Sequence, residues 1–343
     1  MSALKPLKAP SDSDDDPCGL LLSRFAVPGT EVSTLPPVAR IAWISEKQTV
    51  MSRPEPIRAW WVGLLLVGLV VATPCVAGDN EVYLGTRWPA DLHQPIEQID
   101  YQPWTSLLER YCDTKGRVSY AAWKSDAHDV RKLDQFLTQL SHAGPTLKSS
   151  RAARLAFWIN AYNAVTIRGI LREYPTTSIR NHTARFLGYN IWEDLLLWVG
   201  DQTYSLNAME HDILRKMGEP RIHFAIVCAS IGCPRLLNEA YVPDRIDAQL
   251  TQSAKAFFAD RTKFRYDLQG RRIQLSPILK WFAADFGDTP QQRMEWIAPY
   301  LPDEDARRLA TSGTATIGYL GYDWNLNDQR TLGTAASPGR RRR

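Results

Sequence analysis

The 343-residue chain has only five cysteines, and no two of them form a C-x-x-C pair. Three of the five, Cys112, Cys228 and Cys233, lie beyond residue 78. Three is too few for a disulfide scaffold, and an odd number leaves at least one thiol unpaired within the monomer. The absence of paired C-x-x-C spacing also weakens any zinc reading, and no metal or cofactor is assigned. There is no internal repeat. There is also no patterned excess of charge. The formal charge of +4 comes from the four arginines at 340–343, because residues 1–77 carry seven positive and seven negative side chains and residues 78–339 balance to zero. Nucleic-acid binding asks for a basic face interleaved with aromatics, so nucleic acid is not expected as a partner. The terminal arginine run is expected to be a solvated tail over 331–343.

Long apolar runs are scarce too. The single one, "AWWVGLLLVGLVVA", spans Ala59–Ala72. Arg53 and Arg58 precede it, Thr73-Pro74 interrupts it, and small residues follow up to Ala77. This is the pattern of a secretory signal peptide over 51–77. The uncharged stretch at 59–78 is also just long enough to span a bilayer as an anchor. Cleavage after Ala77 is favoured, because the apolar core is short. Residues 1–50 are polar, proline-rich and unpatterned, whereas "MSRPEPIRAWW" is an ordinary signal-peptide start. Met51 is therefore expected to be the true start, with 1–50 an over-extended or disordered segment. The protein is expected to be exported, to the periplasm or another extracytoplasmic space. Any membrane contact would run only through 59–78. Residues 78–103 read as a linker, and 104–330 as one domain large enough to bury a core.

Within that domain, helices are the stronger signal. "WTSLLERYCD" reads as a short helix and "RVSYAAWKSD" as a turn into an exposed strand or helix. "DVRKLDQFLTQLSH" has Val130, Leu133, Phe136, Leu137 and Leu140 at helical spacing. "SSRAARLAFWINAYNAVTIRGILREYP" has a cap at Ser149 or Ser150, a stop near Pro175, and apolar residues on more than one face. Such a helix is buried. Asn160 and Asn163 sit three apart in its middle, and buried amides need partners. They are either part of a functional polar network or ties to neighbouring loops. "YSLNAMEHDILRKMG" reads as a helix with an Asn207–Glu210 capping box and a stop at Gly218. A further helix begins near Asp244. "FRYDLQGRRIQL" reads as a hairpin over 264–275. "SPILKWFAADFG" reads as a helix capped by Ser276, and two short helices follow. "ATIGYLGYDWNLND" closes the fold in extended or irregular form. The fold class is α+β: a helix-rich single domain around a small sheet.

"RIHFAIVCAS" is β-branched, aromatic and bounded by Pro220 and Gly232–Pro234, so it predicts a buried strand near 222–228. On a strand, Cys228 faces the opposite way from His223. A thiol nucleophile at Cys228 would then take His211 as its base and Glu210 as the orienting carboxylate, with backbone N–H groups near Ala229 and Ser230 serving an oxyanion. Cys228 and Cys233 are equally placed for a disulfide or a redox pair, since Gly232-Pro234 turns the chain. A buried cysteine is also an ordinary small core residue. A His223/Cys228/Cys233 metal site is the weakest of these readings.

Five segments together, "FWINAYNAVTIRGIL", "LNAMEHDILR", "HFAIVCASIGCP", "ILKWFAADFG" and "YDWNLND", resemble domain-of-unknown-function family number 547 over about Trp104 to Asn327. The resemblance implies no established activity. It does imply an exported bacterial type, and plant relatives that carry the domain beside coiled-coil or glutaredoxin-like segments. It marks Asn160, Tyr162, Asn163, Glu210, His211, Arg215, His223, Phe224, Cys228, Ala229, Cys233 and Pro234 as the places to look. The leading expectation is a Cys-dependent acyl transferase or hydrolase using Cys228, His211 and Glu210. Asn160, Tyr162, Asn163, Arg215, His223 and Ser230 would line the binding site for a small-molecule or peptide substrate. The alternatives are a thiol–disulfide redox protein through Cys228 and Cys233, and a non-catalytic envelope binding module with structural cysteines.

Overall fold

The computed structural model describes residues 80–184 and 188–332. The leader-like segment at 51–77, the apolar run at 59–78 and residues 1–50 lie outside them, as does the arginine tail from residue 333. Among the described residues, no helix is long and apolar enough to cross a membrane.

The chain opens with a short strand, β1 (Val82–Leu84), followed by α1 (Gln102–Tyr111), α2 (Tyr120–Ser125) and α3 (Ala127–Ser141). Residues 80–103 of the expected linker 78–103 are part of the fold. They supply β1 and bury Ile96, Ile99 and Tyr101. α2 settles the ambiguous "RVSYAAWKSD" as a helix, and it is not an exposed one. Tyr120 and Trp123 are fully buried, the latter stacked on Tyr111 at 4.7 Å between ring centroids.

α4 (Arg151–Glu173) is the axis of the molecule. Ser150 caps it, its hydroxyl accepting the N–H of Ala153 at 3.1 Å. Apolar residues on every face are covered by α3, by the sheet and by later segments, as a helix apolar all round requires. Each fully buried Ile, Leu or Phe contributes roughly 1.5–3 kcal/mol of transfer free energy. Beyond α4, β2 (Leu195–Val199) pairs parallel with β1 and antiparallel with β3 (Gln202–Ser205).

The segment after β3 was expected to be an ordinary capped helix. It is instead a π-helical turn over Ala208–Leu214 followed by a 3-10 turn over Arg215–Met217. Asn207 makes no side-chain cap; the Ser205 hydroxyl takes the Ala208 N–H at 3.1 Å in its place. Gly218, left-handed at φ 64°, ends the segment as expected.

The second half holds α5 (Ile246–Ala259), the hairpin β4 (Phe264–Asp267) and β5 (Arg272–Leu275), the short helices α6 (Ile278–Trp281), α7 (Ala283–Phe286), α8 (Pro290–Ile297) and α9 (Glu304–Thr311), and β6 (Thr316–Tyr319). The hairpin lies where the alternation places it, and β6 adds to β5 in parallel. The described residues therefore form a helix-rich α+β fold with two three-stranded sheets. Two apolar cores lie side by side. One surrounds α4; the other is built by α5 and the hairpin with the helices after it.

The segment 220–233 joins the two cores. Phe224 belongs to the second, whereas Ile226, Val227, Ala229 and Cys233 belong to the first. The strand expected at 222–228 does not form. Pro220–Phe224 is a 3-10 turn with proline in its first position, and the chain then runs irregularly to Ala229.

Candidate active site: two thiols under an aromatic wall

A buried backbone without a sheet partner must find hydrogen bonds elsewhere. For 225–227 they come from one side chain of α4. The Asn163 amide donates to the Ala225 carbonyl at 3.0 Å, and its oxygen accepts the Val227 N–H at 2.9 Å. Asn160 does the same one turn earlier for Tyr241, at 2.7 and 3.0 Å. Both asparagines thus tie loops to α4. Asn163 ties the one that leads into Cys228.

From there the chain turns tightly. Ala229 is left-handed at φ 58°, a strained conformation for a residue with a Cβ, and such strain concentrates at functional sites. The turn is held by the C-terminal segment: Ile231 N–H donates to Asn325 O at 2.8 Å, Gly232 N–H to Asp323 O at 2.7 Å, and Asn327 N–H to Ala229 O at 3.0 Å. Gly232 sits directly under the Tyr322 ring, which a Cβ there would meet at 2.7 Å.

This geometry gathers donors around one sulfur. Cys233 Sγ accepts the Cys228 backbone N–H at 3.0 Å, and lies 3.2 Å from Ser230 Oγ and 3.2 Å from Tyr322 Oη. Ser230 and Tyr322 are themselves joined at 3.0 Å. Cys228 Sγ is held more loosely, 3.4 Å from Tyr322 Oη and 3.5 Å from Ser230 Oγ. Both cysteines are free thiols; Cys233 is buried and Cys228 half-buried. Burial opposes a charge on Cys233, but hydrogen bonds from Cys228, Ser230 and Tyr322 outweigh it and bring the thiol down to about 6. Cys228 moves well above the ordinary thiol value, through its hydrogen bond to Cys233 and through burial. The donors thus favour a thiolate on Cys233 over one on Cys228. Tyr322, pushed up by burial and by the neighbouring thiols, stays a hydroxyl donor.

Both thiols line a narrow pocket with a cavity volume of roughly 50 Å³. Its walls are mostly aromatic: Trp192, Trp281, Phe282, Tyr322 and Trp324, with Tyr162, Glu210 and His223 among the polar members. Trp281, Tyr322 and Trp324 form one contiguous group, with centroid separations of 4.5–5.9 Å. His223 and Cys228 thus line the same pocket, which corrects the expectation that they point apart. That expectation rested on strand alternation, and there is no strand. His223 stacks on Phe282 at 4.1 Å and bonds Asp285 through Nε2 at 2.7 Å.

His211 is placed differently from its expected role. Its Nδ1 is 2.9 Å from Arg215 Nη1, and it is not among the described residues that line the pocket. Arg215 in turn grips Asp285 with two hydrogen bonds, at 2.7 and 2.8 Å. Burial alone would raise Asp285, but the hydrogen bonds and charges of Arg215 and His223 hold its carboxyl far below the usual carboxylate range. Glu210 accepts the Tyr162 hydroxyl at 3.2 Å. Apart from Asn160 and Asn163, which tie loops to α4, the expected site residues fall into three groups. Cys228, Ser230 and Cys233 form the thiol cluster. Tyr162, Glu210 and His223 share its pocket. His211 and Arg215 belong to an ion-pair chain that reaches the pocket through Asp285 and His223. Tyr322, Trp281, Trp324 and Asp285 were not expected as site residues, although they lie in two of the five motif segments. One ligand-like group, Asp126, His128 and Asp129, brings its donor atoms within 4.8 Å of one another. Asp126 there caps α3 and Asp129 pairs with Arg110 and Lys132, so its charges are already used.

Residues 146–258 match the model of the family described as "Protein of unknown function, DUF547". The match runs from just before α4 to the end of α5. It contains three of the five motifs, and both thiols with them; "ILKWFAADFG" and "YDWNLND" lie beyond it. No curated protein and no solved structure matches the chain.

Proposed function

We propose that this chain carries out thiol–disulfide exchange through Cys228 and Cys233, on a substrate whose apolar part packs against the aromatic wall. One observation carries the reading. Two free thiols line the pocket, and a nest of donors that favours a thiolate converges on the sulfur of Cys233. A lowered thiol pKa is what makes a cysteine reactive near neutral pH.

The exchange balances with the groups present. The Cys233 thiolate attacks one sulfur of a substrate disulfide. The substrate S–S bond breaks, and its first half leaves as a thiolate that takes the proton of Cys228. The Cys228 thiolate then attacks the sulfur of Cys233, closing a Cys228–Cys233 disulfide. The second half leaves and takes a proton from water. The substrate gains two electrons and the protein loses two.

The acyl-transfer reading with His211 as base has less support, because His211 Nδ1 is engaged with Arg215 and His211 is not among the described residues that line the pocket. The leader-like pattern at 51–77 supports the further reading that the protein works outside the cytoplasm, where disulfide substrates occur.

The test is a redox titration. The full chain is equilibrated in glutathione buffers of graded potential, quenched with acid, alkylated and mapped by mass. A reversible two-electron transition between free and bridged Cys228/Cys233 is expected, with Cys112 alkylated throughout. Absence of the bridged form at every potential would overturn the redox reading and leave a binding pocket with structural thiols.

A further inference from the structure

The loop that carries both thiols rests on a buried cation. Lys263 lies between α5 and β4 and is only 5% exposed. Its ammonium donates to the carbonyl of Ile231, midway along the loop between Cys228 and Cys233. A buried ammonium is costly unless an opposite charge accompanies it. The acidic groups within its electrostatic reach are Asp260, Asp323 and the two thiols. Both carboxylates belong to exposed residues and have other donors. Asp260 Oδ1 accepts the N–H and hydroxyl of Thr262, each at 2.8 Å. Asp323 Oδ1 accepts the N–H and side-chain amide of Asn325, at 3.0 and 2.8 Å. Asp260 weighs most among these acidic groups, and the thiol pair is the buried member of the set. Opposite charges removed from water are felt far more strongly than on the surface.

We propose that Lys263 is a positioning residue: its charge holds the Cys228/Cys233 pair in the singly ionised state, and its bond to Ile231 fixes the loop. This rests on the thiol–disulfide reading above. Burial by itself lowers the lysine pKa, and the nearby acidic groups, Cys233 among them, pull it back up. Stabilising the thiolate stabilises the reduced pair, which makes the disulfide form a stronger oxidant. Lys263 is thus a determinant of redox poise that takes no part in bond making.

Charge and anchoring can be separated. Lys263→Gln keeps a donor for Ile231 and removes the charge; Lys263→Met removes both; Lys263→Arg keeps the charge. The pH dependence of iodoacetamide alkylation, mapped to Cys228 and Cys233, is measured with each, alongside thermal melting. Both uncharged variants are expected to show the profile displaced upward by about one pH unit, which slows alkylation about tenfold below pH 6 and about twofold at neutral pH. Their glutathione equilibrium is expected to shift about tenfold toward the disulfide, and the arginine variant to stay near wild type. A folded glutamine variant with the wild-type profile would overturn the inference while leaving the exchange reading intact. A wild-type protein with no thiol titrating below the ordinary range would remove both.

Discussion

Tyr322 shows how much one hydroxyl can carry. It lies within 3.4 Å of both thiol sulfurs and of Ser230, and no water is needed to relay its proton. Replacing it with phenylalanine keeps the ring over Gly232 and removes only the donor. A hydrogen bond to a charged group is worth about 1.5–3 kcal/mol, so Tyr322→Phe should raise the Cys233 pKa by one to two units. The sign of the stability effect follows. Cys233 titrates lower in the folded chain, about 6, than the ordinary 9.0. Its contribution to stability is therefore full above about pH 9 and lost as the pH falls through 6. Wild type should gain stability from pH 6 to 9 relative to Tyr322→Phe, and the gap should close below pH 6. Denaturant melts at a series of pH values measure this. Parallel stability curves for the two proteins would count against a thiolate on Cys233.

At the scale of elements, the segment 220–233 explains both what was readable and what was not. Helices were legible because their signals are local: Ser150 caps α4, Pro175 follows it, and the hairpin at 264–275 alternates around Gly270. The strand at 222–228 was misread because its composition is that of a strand, while its hydrogen-bond partner is a side chain. Asn163 satisfies Ala225 and Val227 as a neighbouring strand would, and no periodicity reveals that. The pairing of Cys228 with Tyr322 was invisible for a related reason, since 94 residues separate them. Of the hydroxyls around the two sulfurs, Ser230 was among the residues singled out from the sequence and Tyr322 was not. The turn itself can be tested at Gly232, whose absent side chain admits the Tyr322 ring. In Gly232→Ala the ring must move, because the added Cβ would lie 2.7 Å from Cε1 and Cζ, and Cζ carries the hydroxyl. Overpacking of this kind costs about 1–3 kcal/mol. The variant should melt lower and alkylate more slowly at neutral pH. Unchanged melting with an unchanged alkylation profile would show that the ring does not depend on that gap.

Across the whole molecule, the site occupies the seam between two cores, and the C-terminal segment closes it. Residues 322–328 contribute to the pocket wall and also bind elements from the first half of the chain. Leu326 N–H donates to Thr177 O at 2.7 Å, and Val118 N–H to Asn327 O at 2.9 Å. The buried Asn327 side chain accepts the Tyr120 hydroxyl at 2.8 Å and donates to Gly116 O at 3.1 Å. Its backbone N–H meanwhile holds Ala229. One residue thus links the α1–α2 turn to the thiol loop. A loop held this way should open only with the elements that hold it, since local stability follows the cooperative unit a segment belongs to. The amides of Ile231, Gly232 and Asn327 should therefore exchange with deuterium as slowly as those in the middle of α4. Asn327→Ala leaves the Tyr120 hydroxyl and the Gly116 carbonyl without their partner, at about 1–3 kcal/mol for each buried group. It should speed exchange at Ile231 and Gly232 by at least tenfold, while the hairpin at 264–275, which belongs to the other core, changes less. Fast exchange of the thiol loop in wild type, or uniform acceleration across both cores in the variant, would show that the C-terminal segment does not hold the loop as a local clamp.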